Sequence, residues 1–395
     1  MNDRILIDSV VSTLRDVLGT ERSAIALHEP LFQGNEWAYV KECLDSGWVS
    51  SVGKYVDRFE AKLAEYTGSP HAIAVVNGTA ALHLSLLLAG VETGDEVLAP
   101  AMSFVATGNA VAYCGAIPHW VDSSPLTLGL DPEKLADYLE DIAEVSPTGC
   151  RNRRTGRRIK AVIAMHTFGH PIDLEPLLAL CERFRLELIE DAAESLGSFY
   201  KGRHTGTWGR LAALSFNGNK VMTTGGGGAV LTHDPVLAKQ AKHLSTTAKA
   251  PHRWAFNHDQ VAFNYRMPNL NAALGCAQLE QLEGFIAWKR RLAGAYAQAF
   301  EGLEGVAFFE EPSFARSNYW LNAILLDPSL SGSRDPLLDA TNEQGIMTRP
   351  VWTLMHRLPM YKDCPRMDLS VAENLESRLI NLPSSAVLGR QDVEA

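Results

Sequence analysis

From residue 71 to residue 191 the chain repeats one theme: a short apolar run, a turn, then a stretch with helical spacing. H-A-I-A-V-V (71–76), E-V-L-A-P-A (96–101), Ile117 to Asp122, I-K-A-V-I-A-M (159–165) and Leu186 to Ile189 read as buried strands. Ala80 to Ala89, residues 103–113, Pro132 to Ile142 and Asp173 to Phe184 read as helices, with Pro132 in the favoured first turn. Strands that are apolar throughout are covered on both faces. The pattern therefore predicts an α/β fold, a mostly parallel sheet between two layers of helices. In such sheets ligands gather beyond the carboxyl ends of the strands. The residues that matter there are Asn77-Gly78-Thr79, Met102-Ser103-Phe104, His166, Asp191 and Ser215 to Lys220.

The stretch L-S-F-N-G-N-K-V-M-T-T-G-G-G-G-A-V (214–230) sets Lys220 between a strand, Ala212 to Phe216, and four glycines, Gly225 to Gly228. It admits two readings. One is a surface hairpin with a flexible tip. The other is a lysine that holds a cofactor covalently, with glycines that let the backbone pass close to it and turn into the next strand at 229–231. A lysine amine forms Schiff bases with carbonyls, and pyridoxal 5′-phosphate is the common cofactor held this way. The protein must then add an acid for the pyridine nitrogen and an anion site for the phosphate. Asp191 follows an apolar strand, and a buried carboxylate needs a partner such as a pyridinium; alternatively it caps a helix opening at Ala192. Gly78-Thr79-Ala80-Ala81 opens a helix whose free N–H groups suit a phosphate, with hydroxyls from Thr79 and Ser215. Phe104 either stacks on a flat ring or packs in the core.

Outside this region, residues 3–18 have helical spacing, and helices are expected over 36–44, 55–67 and 235–244. A long helix from Leu270 to about Glu301 would bridge to a smaller α/β domain built from 306–309, 319–325, 345–350 and 372–378. At 395 residues the chain suits two domains: an arm over 1–35, a large domain over 36–269, and a linking helix with a small domain over 270–395. Net charge −10 argues against a general nucleic-acid or membrane-surface binder. The basic run at 146–160 is read as a phosphate contact, a solvated loop or an intersubunit contact. S-G-W-V-S-S-V-G-K (46–54) is a pocket-bordering loop or a plain connector. Six scattered cysteines with no zinc spacing give no metal site. The polar start and the absence of a long apolar run make a cytoplasmic protein with no membrane span the expectation.

N-G-T-A-A-L (77–82), S-F-V-A-T (103–107), E-D-A-A-E-S-L-G (190–197), the run S-F-N-G-N-K at 215–220 with T-T-G-G-G-G at 223–228, and F-N-Y-R-M (263–267) together resemble the sugar aminotransferases of the DegT/StrS group, over about residues 25–390. The resemblance implies the fold type I of pyridoxal-phosphate enzymes, with a seven-stranded, mostly parallel sheet and a smaller C-terminal α/β domain. It implies Lys220 as the Schiff-base lysine, Asp191 at the pyridine nitrogen and Phe104 as the stacking ring. Gly78, Thr79, Ala80 and Ser215 fall at the phosphate. Glu194 stands where a side chain reaches the cofactor's ring hydroxyl, a place where glutamine is frequent. Asn264 matches an asparagine that reaches the neighbouring subunit's cofactor, which implies a homodimer with a shared site. One branch replaces the lysine with histidine and dehydrates sugars; this chain keeps Lys220. S-G-W-V-S-S-V-G-K-Y-V (46–56) and M-H-T-F-G-H-P (165–171) resemble the branch that aminates C4 of a UDP-linked 4-keto-6-deoxy-N-acetylhexosamine. Arg349, Trp352 and His356 lie where sugar contacts often fall. The expectation is a transaminase that takes an amine from L-glutamate, passes through the pyridoxamine phosphate form and delivers it to that UDP-linked keto-sugar. The alternatives are a dTDP- or GDP-linked or 3-keto sugar, or a non-catalytic regulator that binds the cofactor or a sugar.

Overall fold

The computed structural model describes residues 3–20 and 22–390. Helix α1 (Asp3–Leu18) buries Leu6, Val10 and Leu14 on one stripe, as its spacing requires. Helices α2 (Glu36–Ser46) and α3 (Lys54–Thr67) follow. The alternation then unfolds as β1 (His71–Val75), α4 (Gly78–Leu88), β2 (Glu96–Pro100), α5 (Val105–Tyr113), β3 (Ile117–Val121) and α6 (Pro132–Ile142). A hairpin, β4 (Ala143–Ser146) and β5 (Gly149–Asn152), precedes β6 (Arg158–Met165), α7 (Leu174–Phe184) and β7 (Glu187–Asp191). The short strands β8 (Phe199–Tyr200) and β9 (Arg203–His204) lead to β10 (Leu211–Ser215), β11 (Gly228–Thr232) and α8 (Pro235–Ser245). A ribbon of β12 (Lys249–Ala250) and β13 (Asn257–His258) comes before α9 (Asn269–Leu279) and α10 (Leu282–Phe300). The chain ends through β14 (Val306–Phe308), β15 (Ala315–Arg316), β16 (Asn322–Leu326), α11 (Arg334–Glu343), β17 (Arg349–Pro350), α12 (Ser370–Glu376) and β18 (Leu379–Leu382).

The main path of the large sheet is β1-β11-β10-β7-β6-β2-β3, seven strands as expected. β10, β7, β6, β2 and β3 run parallel, and β11 is antiparallel to both its neighbours. Both faces are covered. Ala72, Ala74, Ala212 and Leu214 pack with Phe59 and Ala272 of α3 and α9. Ile73, Val75, Val97 and Ala99 pack with Leu84 and Val111 of α4 and α5. Burial on both sides explains why these strands show no alternation. The hairpin β4–β5 extends the sheet to nine strands.

That hairpin is where the basic run lies. Arg158 makes a two-pronged pair with Asp95, at 2.8 and 2.6 Å, and Arg154 pairs with Asp141. Asn152 and Thr155 donate to Glu96, which is fully buried beside His119. Acidic neighbours thus hold Arg154 and Arg158 of the run, while Arg151 and Arg153 bond backbone oxygens.

Three expectations need correction. The helix read as 270–301 is two helices that part at Glu280-Gln281. Gln278 and Gln281 both donate to Glu36 of α2, at 2.7 and 2.6 Å, while α10 turns away to the small sheet β14-β16-β18-β17. The element placed over 319–325 is a strand that starts only at Asn322, because Tyr319 is left-handed (φ 47°). Of the element placed over 345–350 only β17 joins the sheet; Ile346 bridges Ile25 of the N-terminal arm instead. α1 packs with α10 and β16, so Leu14, Tyr296 and Ile324 share one cluster. Among the described residues no helix is long and apolar enough to cross a membrane.

Candidate active site

Five strand ends meet at one cavity of ≈360 Å³. β1 leads to Asn77, Gly78 and Thr79; β2 to Phe104 and Thr107; β6 ends at Met165; β7 gives Asp191 and Glu194; β10 gives Ser215 and, past a turn, Lys220. Trp320 and Trp352 close it from the C-terminal part.

Asn77 is extended and caps α4, its side chain accepting from the Ala80 amide at 2.8 Å. The amides ahead of Ala80 have no partner one turn back and point toward the cavity end of the helix. Gly78 lies so close to β10 that a Cβ there would sit 2.8 Å from Ser215 Cβ. The missing side chain brings the helix start and the Ser215 hydroxyl together.

Asp191 ends β7 and is buried. Thr107 Oγ1 donates to its Oδ2 at 2.9 Å, and the Ala193 amide to its Oδ1 at 3.3 Å. Burial pushes its pKa up, against the pull of Thr107, Ala193 and Lys220. The Ser103 hydroxyl lies 2.7 Å from Thr107 Oγ1 and fixes it from behind. On the preceding residue of β7, Glu190 accepts from the Gly206, Trp208 and Gly209 amides and from His166, and so staples β7 to the following loop.

Lys220 reaches across to Glu194, Nζ to Oε1 3.2 Å, and its ammonium lies 3.9 Å from the centroid of the Trp320 ring. Trp320 is held in turn by its indole N–H on the Asn219 carbonyl, at 2.6 Å. Glu194 also accepts from the Phe168 amide at 2.9 Å. Burial pushes its carboxyl up to about 7, with Lys220 opposing the rise.

Of the residues singled out in the sequence, Gly78, Thr79, Phe104, Asp191, Glu194, Ser215, Lys220 and Trp352 line this cavity. Ala80 sits one step behind it, its amide engaged by Asn77. Arg349 lines an adjoining cavity and bonds Asn342 Oδ1 at 2.8 Å. His356 turns to Glu373, 3.1 Å away, and is not on the wall. Asn264 bridges Thr246, also away from it. The four glycines do not line it either. Gly228 instead abuts the Asn77 backbone, where a Cβ would come within 2.5 Å. Thr107 and Trp320 were missed: Thr107 was visible only as the end of S-F-V-A-T, and Trp320 comes from the segment just ahead of β16, about a hundred residues further along the chain.

The DegT/DnrJ/EryC1/StrS aminotransferase family model matches residues 31–395. The chain belongs to this family. It is therefore an aminotransferase of the pyridoxal-phosphate-dependent sugar type. The chain is 38% identical to GDP-perosamine synthase of Caulobacter vibrioides over 94% of its length and 95% of that protein. It is 37% identical to the putative pyridoxal phosphate-dependent aminotransferase EpsN of Bacillus subtilis, over 92% and 91%. Among solved structures, the aminotransferase TlmJ of Streptoalloteichus hindustanus superposes with a TM-score of 0.83 at 29% identity, covering 93% of this chain and 95% of that one.

The cavity fits the cofactor. It offers an amine, a buried carboxylate already bonded by a hydroxyl, a helix start with two hydroxyls nearby, and an aromatic ring at its mouth.

Proposed function

We propose that this enzyme moves an amino group from glutamate to a keto group on a nucleotide-linked sugar, with Lys220 as the covalent anchor and proton carrier. The observation that carries the reading is the meeting of Lys220, Asp191, the α4 start with Ser215, and Phe104 in one cavity. When bound, pyridoxal 5′-phosphate supplies an electron sink for the carbon that loses its proton. Asp191, fixed by Thr107, would hold the pyridine nitrogen and keep it protonated. Gly78, Thr79 and Ser215 would hold the phosphate, and Phe104 would cover the ring. Glu194 orients the Lys220 amine and would reach the ring hydroxyl. With the cofactor in place, the Lys220 amine would be the base that takes the proton from the donor α-carbon and, as its conjugate acid, the group that gives a proton back within the same cavity. Trp320 and Trp352 exclude water from that path.

For the acceptor, a GDP-linked keto-sugar comes first, because relatives 37–39% identical carry the name GDP-perosamine synthase. The UDP-linked 4-keto-6-deoxy-N-acetylhexosamine is the second reading, supported by the 46–56 and 165–171 stretches. Trp352 and Arg349 are the first sugar contacts on either reading. His356, facing Glu373, would need to turn to join them. The division into an arm, a large domain and a small domain, a cytoplasmic location and a homodimer that completes the site with Asn264 belong to the same reading.

The test is turnover of a panel of GDP-, UDP- and dTDP-linked keto-sugars with glutamate. The GDP-linked ketone should be aminated fastest. The Lys220→Ala protein should fall by about 10⁴-fold or more, as loss of a covalent and acid–base group does. Undiminished glutamate-dependent amination by that variant would end the proposal.

A further inference from the structure

His28 stands in the N-terminal arm, beside a second cavity of ≈430 Å³. That cavity shares Asn219, Trp320 and Trp352 with the Lys220 cavity and adds His28, Arg349 and Asn381. The arm is pinned on both sides. Ile25 donates to Gly345 O and accepts from Met347 N, at 2.8 and 2.9 Å. Leu27 O accepts from Ser384 N at 2.7 Å, and Glu29 N donates to Ser385 Oγ at 2.8 Å. The imidazole is thus set in place by backbone bonds on each flank. Among the described residues, neither of its buried ring nitrogens has a hydrogen-bond partner, and the same is true of the buried Asn381 Oδ1. Burial, with Lys289 and Lys220 nearby, holds the His28 pKa well below the ordinary value and leaves the ring neutral.

A neutral imidazole offers one donor and one acceptor, and Asn381 Oδ1 adds an acceptor. A carboxylate or phosphate only accepts, so it would leave both acceptors open. Sugar hydroxyls donate and accept, and satisfy all three. The two indoles supply the apolar walls against which a hexose ring lies. Position agrees. The carbon that receives the amine must lie at Lys220 Nζ, which is 3.9 Å from the Trp320 ring centre, and Trp320 also walls the second cavity. The atoms next to that carbon are the remaining hydroxyls of the hexose; the base lies beyond the diphosphate.

We propose that His28 and Asn381 form the hydroxyl-recognition subsite for the hexose of the nucleotide sugar. This rests on the function proposed above. The test is calorimetric titration of the holoenzyme with GDP-mannose and UDP-N-acetylglucosamine, each against GDP or UDP alone. One of the two sugars should bind more tightly than its own diphosphate. His28→Phe, which keeps the ring volume and removes both nitrogens, should erase roughly tenfold of that difference and leave diphosphate binding unchanged. His28→Gln, with a donor and an acceptor, should restore part of it. Asn381→Leu is the second probe, and cofactor absorbance with the melting temperature reports folding of each variant. A sugar increment intact in both His28→Phe and Asn381→Leu, an equal loss for the bare diphosphates, or no increment in the wild type would overturn the proposal. A wild type with a His28-dependent increment that aminates no keto-sugar would instead overturn the assigned reaction.

Discussion

Glu194 shows how one side chain can carry a pH dependence. Its carboxyl titrates near 7 in the fold, because burial opposes its charge more than Lys220 favours it. Its unfolded value is the ordinary 4.5. A raised pKa contributes stability that is complete below the unfolded value and is lost as pH rises through the folded one. Apo-protein melting should therefore show the wild type losing ground to Glu194→Gln between pH 4.5 and about 7, whatever the offset between them at low pH. A constant difference across that range would contradict the assignment. Thr107 makes a second residue-scale case. Its hydroxyl is the closest donor to Asp191, and hydrogen bonds to charged groups contribute about 1.5–3 kcal/mol. Thr107→Val should slow the glutamate half-reaction roughly 10- to 100-fold, followed by loss of the cofactor absorbance in stopped flow. Lys220 and Asp191 were legible in the sequence because their chemistry is rare at strand ends. Thr107 was not, because one hydroxyl in a helix announces no partner.

At the scale of elements, the last two glycines of the run, Gly227 and Gly228, are the ones that close packing demands. Gly228 opens β11 with its Cα against the Asn77 backbone, and Gly78 lies against Ser215. β1, β10, β11 and the α4 start are thereby pulled into one corner, which sets the anion site. Gly228→Ala forces backbone apart in a well-packed interior, at a cost of about 1–3 kcal/mol or more. The expected result is a melting temperature lowered by several degrees and weaker cofactor retention, although Lys220 and Asp191 are untouched. Normal cofactor affinity in that variant would show that the corner tolerates the shift. The strands and helices of the large sheet were readable because burial on both faces leaves uninterrupted apolar runs. The break at Glu280-Gln281 was not, because it arises where α9 answers to α2 and α10 to another sheet. Periodicity within one helix carries no trace of that conflict.

For the whole molecule, the surface carries its own prediction. Trp48, Trp254, Phe256 and Val261 are exposed, the last at 92%, and Phe104 at the cavity mouth is half open. On the homodimer proposed above, these side chains would be covered by the partner. Sedimentation should give a dimer, and Phe256→Glu should shift it toward monomer and lower turnover together; a fully active monomer would rule out a shared site. The sequence by itself determined the layered α/β fold, the family, the cofactor and the lysine, carboxylate, glycine and ring that line the cavity. These are written in local order: apolar runs that fix strands, and reactive residues at their ends. Only the tertiary structure decided what stands opposite them. It brought Trp320 from the segment ahead of β16 onto Lys220, set His28 of the N-terminal arm and Asn381 on the wall of one cavity, and turned His356 to Glu373. Such contacts join residues far apart in the chain, and their geometry depends on how whole layers pack, which no local pattern encodes.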